Sequence, residues 1–550
     1  MAITIQDVVT HHRLVAAGSN EVWYEDIMAQ GELIKLAASD GDIDTSDQLV
    51  MFELAQKVFI VNGAKKKVAD FSNTKLTVSA FTNPPAHGDI LVQGTAPNQA
   101  FLLVDYVNPA KTAVYGYAYY TGTTTQWTTG AFTSNNAIAT MSPASRTVSA
   151  VAAGPHWYDW TPYPDIVLTA SGATRSFGTM PEIAYLGCAY RGRAVLSGNP
   201  KEPFQWYMSR QLHPWDWAYF ANDAGSPVAG GNSDAGQIGD IVRALVPYKD
   251  DYLIFGCASS THMLAGDPAS HGELRELSRT VGFFGAASYT WDSQQRLYFL
   301  GNTGLYRTSV PGSPVAISQA PLPSLMSETA VNQSSHRATM AYDSTRNGIE
   351  LCITKLNDAT SVNFWYDLKV EDDSTVGGYF PDVVPVECGA YAQYFYDAPN
   401  PDNRALLIGC ADGYIRRFED AAADDELHDG TAAIESHVTF GPYAMSDVED
   451  YEGTLTGLNA VLAQSAASDS SDVDYEVYAA NSSDSLLKQF ASGVARITGM
   501  FKAAGRRRGT TRGQRVRGAY VGIRLKNYRV GETWGFEKLL LSMFRGGRLK

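Results

Sequence analysis

The residues most suited to chemistry lie near the end of the chain, in "AGRRRGTTRGQRVRG" (504–518), which carries Arg506, Arg507, Arg508, Arg512, Arg515 and Arg517 and no acid. Guanidinium groups recognise phosphates and carboxylates through paired, charge-assisted hydrogen bonds. Binders of single-stranded nucleic acid interleave such groups with stacking aromatics, yet the first aromatic after this run is Tyr520. Gly505, Gly509, Gly513 and Gly518 interrupt any recognition helix. Sequence-specific DNA reading is therefore not expected. Non-sequence-specific phosphate contact, an acidic protein neighbour, or simple solvation of a strand face remains.

Other chemistry is weaker. His11 and His12 are adjacent, so they point apart on a strand and begin no shared metal site. Acids cluster at Asp250–Asp251, at Asp372–Asp373, and at Glu419, Asp420, Asp424, Asp425, Glu426 and Asp429. Paired carboxylates serve glycosidases, and several oxygens together bind Ca²⁺, but these acids fall in expected turns, where solvated Asp is the default. The aromatic groups "GPHWYDW" (154–160) and "HPWDWAYF" (213–220) suit sugar stacking or, better, burial against a second subunit, with Trp215 and Trp217 as candidate interface residues beside the six arginines. No nucleophile elbow, zinc-binding helix, phosphate loop or EF-hand spacing occurs. No catalytic residue, cofactor site or metal site is assigned, and no enzymatic activity is expected.

The charge is unevenly placed. The chain carries −15 overall, whereas residues 496–550 hold 15 Lys or Arg against Glu532 and Glu537, so the first 495 residues carry −28. With 18% charged residues beside 22 Phe, 10 Trp and 30 Tyr, large buried surfaces are expected, some between subunits. Cys188, Cys257, Cys352, Cys388 and Cys410 stand singly in apolar or Gly-flanked stretches and read as reduced core thiols. The start "MAITIQDVVTHHRLV" lacks a signal-peptide pattern, and no apolar run of membrane-spanning length occurs, which predicts synthesis as a soluble cytoplasmic protein.

These residues must be positioned by a chain that reads mostly as strands. A helix is predicted over 19–39, where Val22, Ile27, Leu33, Ile34 and Leu36 share a helical face and Ser19 or Asn20 supplies a cap. "KVFIVNGAKKKVADF" then places Asn62-Gly63 between two β-rich runs, a strong hairpin signal. Strand, polar turn, strand recurs with turns at Gly192, Lys249, Ser293, Thr345 and Asn403, at roughly the length of a four-stranded blade. The predicted fold is mainly β: a degenerate β-propeller with a short N-terminal helix, an all-β insertion domain and a C-terminal β module. Radial stacking of blades buries both faces of each sheet and shortens its edges; a β-sandwich, the rival, would need fewer and more evenly spaced strands. The expected boundaries are 1–73 for the helix and first blade, 74–180 for the nearly uncharged insertion, 181–445 for the remaining blades, and 446–550 for the basic module.

Three stretches then carry a family resemblance: "CAYRGRAVLSGNPKEPFQWYMSRQLHPWDW", "ELSRTVGFFGAASYTWDSQQRLYFLGNTGLYR" and "GAYVGIRLKNYRVGETWGFEKLLLSMFRGGR". They resemble the nozzle proteins, or tail tubular protein B, of short-tailed bacteriophages. The likeness rests on Gly198-Asn199-Pro200, Trp206-Tyr207 and Asp216-Trp217, on the Gly301 and Gly304 turn, and on Ile523-Arg524-Leu525, Trp534, Glu537 and Gly546-Gly547-Arg548. "HGDILVQGTAPNQAFLLVDYV" resembles the family's β insert, with more departures. The resemblance implies a structural virion protein, assembled in the host bacterial cytoplasm. It would form a hexameric ring below the portal and adaptor that passes and retains double-stranded DNA non-specifically, with tail fibres or spikes docked at its side. On that view the arginine run faces protein and the acidic part includes the channel wall. The alternative from another class is a propeller that binds, or depolymerises, host-surface carbohydrate.

Overall fold

A computed structural model describes the chain except at residues 7–9, 30, 121–125, 128–131, 135, 139–145, 169–170, 220–222, 320, 323–324, 327–330, 370, 372–376, 385, 418–425, 428–431, 434, 448–450, 464–469, 503–505, 510–514, 530–531 and 549–550. Two compact units are present: residues 1–382 with 386–417, and residues 383–385 with 418–550.

The first unit is a β-propeller. Among the described residues it has seven radial sheets, each antiparallel and built in chain order. Their inner strands are Ala2–Gln6, Val50–Leu54, Leu186–Tyr190, Val242–Tyr248, Tyr289–Trp291, His336–Asp343 and Ala390–Tyr396. The hairpins that leave these strands in the third to seventh sheets hold Gly192, Lys249, Ser293, Thr345 and Asn403, so the repeat visible in the sequence is the inner hairpin of each blade. Arg191 and Gly192, with φ of 51° and 70°, form one such turn; two successive left-handed residues match the twist of the strands they join.

Each sheet buries side chains on both faces because each has two neighbours, and most of these side chains are apolar. Val15 and Val22 of the first sheet pack with Val58 and Ile60 of the second. The third and fourth sheets share Val195, Trp206, Leu253 and Phe255. Phe283 stacks on Phe299 with centroids 4.0 Å apart between the fourth and fifth, and Leu300, Leu305, Leu351 and Tyr366 join the fifth to the sixth. The ring closes where Leu14 and Ala2 of the first sheet meet Tyr396 and Leu407 of the seventh. There the Tyr396 hydroxyl donates to the buried Glu25, which also accepts the Leu14 N–H at 3.1 Å.

The helix predicted over 19–39 is corrected by the structure. Ser19 and Asn20, with φ of 53° and 62°, turn Thr10–Gly18 back into Glu21–Glu25, and Leu33–Lys35 completes the first sheet. A short 3-10 turn, Ala37–Ser39, is the only helical piece of that stretch among the described residues. The apolar spacing fitted a helix, but burial of Val22 and Leu36 against the second sheet decides for strands, a tertiary override of local propensity.

The low-charge segment forms its own sheet within the second blade. Its strand order is Ala137–Ile138, Arg146–Ala153, Thr74–Val78, Ala113–Tyr120, Asn98–Val107, Ile90–Thr95, with Gln126–Trp127 beside Ala113–Tyr120. After it, His156–Asp159 returns to pair with Lys65–Asp70 as the outer strand of the second blade.

The second unit packs two antiparallel sheets on one core of Leu455, Leu458, Val473, Val477, Val521 and Ile523. In one sheet Tyr520–Asn527 and Val473–Ala480 are central. In the other, Tyr451–Leu462 is central and Phe536–Arg548 runs along one side of it. The described α-helix, Ser483–Ser492, starts at a Ser482 side chain that accepts the Ser485 N–H and stops at the left-handed Gly493, the usual chemistry of both ends.

Candidate functional site

Trp215 and Trp217 are fully buried within the chain, which corrects their reading as partner-interface residues. They belong to the core that welds the inserted sheet to the second and third blades. Pro214 holds this knot: its carbonyl accepts the indole N–H of both Trp160 and Trp217. Trp215 stacks on Tyr106 of the insertion at 5.2 Å and lies 5.9 Å from the His87 ring. The excess of aromatics thus serves intramolecular packing here, and neither aromatic motif offers a sugar platform through these tryptophans.

Two buried histidines in the same region give a pH prediction. Burial drives the His213 imidazole down to about 3, assisted by the neighbouring His87, and drives His156 down to about 4 against the pull of Asp70. Both are neutral when folded, whereas the unfolded chain takes up their protons below about 6.5. Stability is therefore expected to fall as pH drops from about 6.5, by about 1.4 kcal/mol per histidine for each pH unit, until the folded values are reached. Urea midpoints at pH 7, 6 and 5 measure this, and a flat profile would count against it.

The arginine run divides. Arg506, Arg507 and Arg508 lie on a strand, Arg506–Gly509, that pairs with Leu458–Val461 of the second unit. Arg515 is exposed. Arg517 is exposed and 3.2 Å from Glu452, and Arg512 lies outside the described residues. So part of the run is a sheet strand, placed by backbone pairing. Of the acid clusters, Asp250 and Asp251 occupy an exposed turn, while Asp372, Asp373, Glu419, Asp420, Asp424, Asp425 and Asp429 lie outside the described residues, as does the side chain of Glu426. Among the described residues, no three or more His, Cys, Asp and Glu are spaced to hold a metal ion. His12 stacks on Tyr396 at 5.8 Å. The five cysteines are buried and unbridged.

Two features of the surface and interior were not legible from motifs. The first is a cavity of about 270 Å³ where the inner strands of the second to fifth blades face one another, lined by Met51, Glu53, Gly187, Ala189, Pro247 and Tyr289 among others. Glu53 is the single carboxylate in its wall. Burial raises the pKa of that carboxyl, although it accepts the Thr4 N–H at 3.2 Å.

The second feature is the strand Phe536–Arg548, 13 residues long. Its inward side chains, Phe536, Leu539 and Leu541, pack on the core of the second unit. The opposite side exposes Leu540 (45%) and Phe544 (66%). One edge pairs with Tyr451–Leu462 over its whole length; no other described strand pairs with its outer edge. A long edge with exposed apolar side chains is a template for another chain. The apolar run in "FEKLLLSMF" carried the signal of a strand, but a sequence does not say which strand is the edge.

Among the described residues, no helix is long and apolar enough to cross a membrane. No family model and no curated protein matches the chain. Similar solved structures include a quinonprotein alcohol dehydrogenase-like protein from Bacteroides thetaiotaomicron, 10% identical, with 67% of this chain and 76% of that one covered and a TM-score of 0.27. An exo-β-1,3-galactanase from Phanerochaete chrysosporium is 9% identical over 86% of this chain and all of that one, with a TM-score of 0.23. A structure described as a glycoside hydrolase is 10% identical over 90% and 98%, with a TM-score of 0.21. None of these three likenesses bears on substrate or role.

Proposed function

We propose that the chain is an architectural subunit that works by associating with copies of itself, as a ring-forming tail nozzle protein of a bacteriophage virion. The observation that carries this reading is the Phe536–Arg548 edge, unpaired among the described strands and bearing exposed Leu540 and Phe544, in the most basic stretch of a strongly acidic chain. Such a strand suits a heterologous contact, in which one surface of each copy meets a different surface of the next and the series closes into a ring. Charge asymmetry supports the same arrangement, since the basic end of one copy complements the acidic remainder of another. In this reading the ring docks on a tail adaptor, carries fibres or spikes at its side, and passes double-stranded DNA through a net-negative bore that repels phosphate.

The test is the mass of the full chain in solution, alone and with the tail adaptor, followed by imaging. A sixfold ring is expected. The double variant Leu540→Lys, Phe544→Lys alters only exposed positions and is expected to weaken ring formation at least tenfold while leaving the unfolding midpoint unchanged. A wild-type chain that stays monomeric with adaptor present would end the proposal.

A second reading, binding of host-surface carbohydrate, is favoured by the axial cavity, whose volume admits a single sugar ring. The lone Glu53 fits binding better than hydrolysis, which uses two carboxyl groups flanking the bond. Retention of the protein on host polysaccharide, lost in Glu53→Gln, would support this reading over the first.

A further inference from the structure

Between the sixth and seventh blades lies a polar cluster that the proposed function does not use. In the sixth blade, Cys352 pairs across the sheet with Asn363, and Asn363 with Asp382, so these side chains share one face; Glu350 lies two residues before Cys352 on the same face. The Glu350 and Asp382 carboxyl groups are within hydrogen-bonding reach of each other. Gln393, on the inner strand of the seventh blade, approaches Cys352 from the opposite side. Glu350 is 1% and Asn363 2% exposed.

The cluster has more acceptors than donors. The Cys352 thiol donates to Glu350 Oε1 at 3.7 Å, and Asn363 Nδ2 is turned away to Ser361 at 3.0 Å. Among the described residues, Glu350 Oε2, Asn363 Oδ1 and both ends of the Gln393 amide are buried without a hydrogen bond of ordinary geometry, although Gln393 comes close to Cys352. The neighbouring guanidinium, Arg346, bonds Asp343 at 2.7 Å and lies over the Trp365 ring at 4.1 Å, and its charge also acts on Glu350 and Asp382. Two facing carboxyl groups plus orphaned amide oxygens are costly in a protein interior, and a hard cation relieves that cost because it accepts six to eight oxygen ligands, carboxylate and amide alike.

We propose that Glu350, Asn363 and Asp382, with Gln393 from the next blade, bind a divalent hard cation of the Ca²⁺ type that staples the sixth blade to the seventh. Asp382 lies on the outermost strand of its sheet and is only half-buried, which provides the entry path and room for water ligands.

The experiment uses the full chain stripped with EDTA, then CaCl₂ alone, with Glu350→Gln and Asp382→Asn as isosteric variants. Ca²⁺ is expected to raise the melting temperature of the wild type by a few degrees. Tb³⁺ is expected to luminesce when Trp365, the cross-strand neighbour of Glu350, is excited. Both responses should be lost in each variant, whose folding without cation is checked by circular dichroism. A wild type that responds to neither ion overturns the proposal. So do variants that keep both responses, which would place the cation elsewhere, and so does a stability that depends on pH but not on Ca²⁺, which would identify a shared proton instead.

Discussion

Lys57→Met is expected to destabilise the chain by about 3–5 kcal/mol, the cost of leaving a buried charge without its partner. Lys57 is fully buried on the second strand of the second blade. Its ammonium lies 3.4 Å from Asp70, the cross-strand neighbour, and bonds Asp105 of the inserted sheet. This one side chain therefore ties blade and insertion together. Asp70 is also fully buried and accepts the Tyr158 hydroxyl and the Ser72 N–H, each at 2.8 Å. Methionine keeps the stem's packing and removes the charge, so the loss reports electrostatics.

The pH dependence of this variant has a definite sign. Burial alone would raise the pKa of Asp70, but Lys57, His156 and its hydrogen bonds together hold it below the usual range. A depressed carboxyl contributes stability above its unfolded value of about 3.9 and loses it as pH falls. Without Lys57 that contribution is gone, so the gap between variant and wild type should hold steady above about pH 4 and narrow below it. Adding Asp70→Asn to Lys57→Met should recover part of the loss, because the stranded charge is then removed. Urea denaturation of the wild type, Lys57→Met, Asp70→Asn and the double variant at two pH values measures all of this; a loss below about 1 kcal/mol in Lys57→Met would refute it.

Arg193→Met should cost a similar amount, about 3–5 kcal/mol, for a different reason. The Arg193 guanidinium is fully buried in the third blade and donates to the carbonyls of Ser209 at 2.9 Å, Ala224 at 3.2 Å, Gly225 at 3.3 Å and Ser226 at 2.7 Å. It also donates to Asp267 of the fourth blade at 3.1 Å. Its removal leaves four backbone acceptors and a carboxylate short of a donor at once. Arg193→Lys should recover less than half of the loss, since an ammonium lacks the planar fork that spans these acceptors. The variants should also be cut faster by protease beside Ala224, where the carbonyls lose their anchor; unchanged cleavage and an unchanged midpoint would contradict the assignment.

Much of the propeller was legible because its repeat is local. A polar turn between two β-rich runs needs no distant partner to be recognised, and Gly192, Lys249, Ser293, Thr345 and Asn403 each mark an inner hairpin. The apolar residues of stretch 19–39 also fit a 3.6-residue period, so the local pattern favours a helix; the choice lies with Val58 and Ile60, which belong to the next blade. Trp215 and Trp217 were assigned to a partner surface by composition. Composition registers that large rings must be buried, but not whether another subunit or the chain's own insertion buries them.

The sequence by itself determined the mainly β character, the blade-length recurrence, the separation of the basic end from the acidic remainder, and the nearly uncharged segment between Thr74 and Asp165, because turn chemistry, alternation and charge are properties of neighbouring residues. Only the tertiary structure decided that the first and seventh blades close the ring through Tyr396 and Glu25, that Lys57 meets an aspartate 48 residues away, that Glu350 shares a sheet face with Asp382, and that Phe536–Arg548 keeps one edge unpaired among the described strands. Those outcomes depend on contacts between distant segments, whose selection comes from burying shared surface, which no local pattern records.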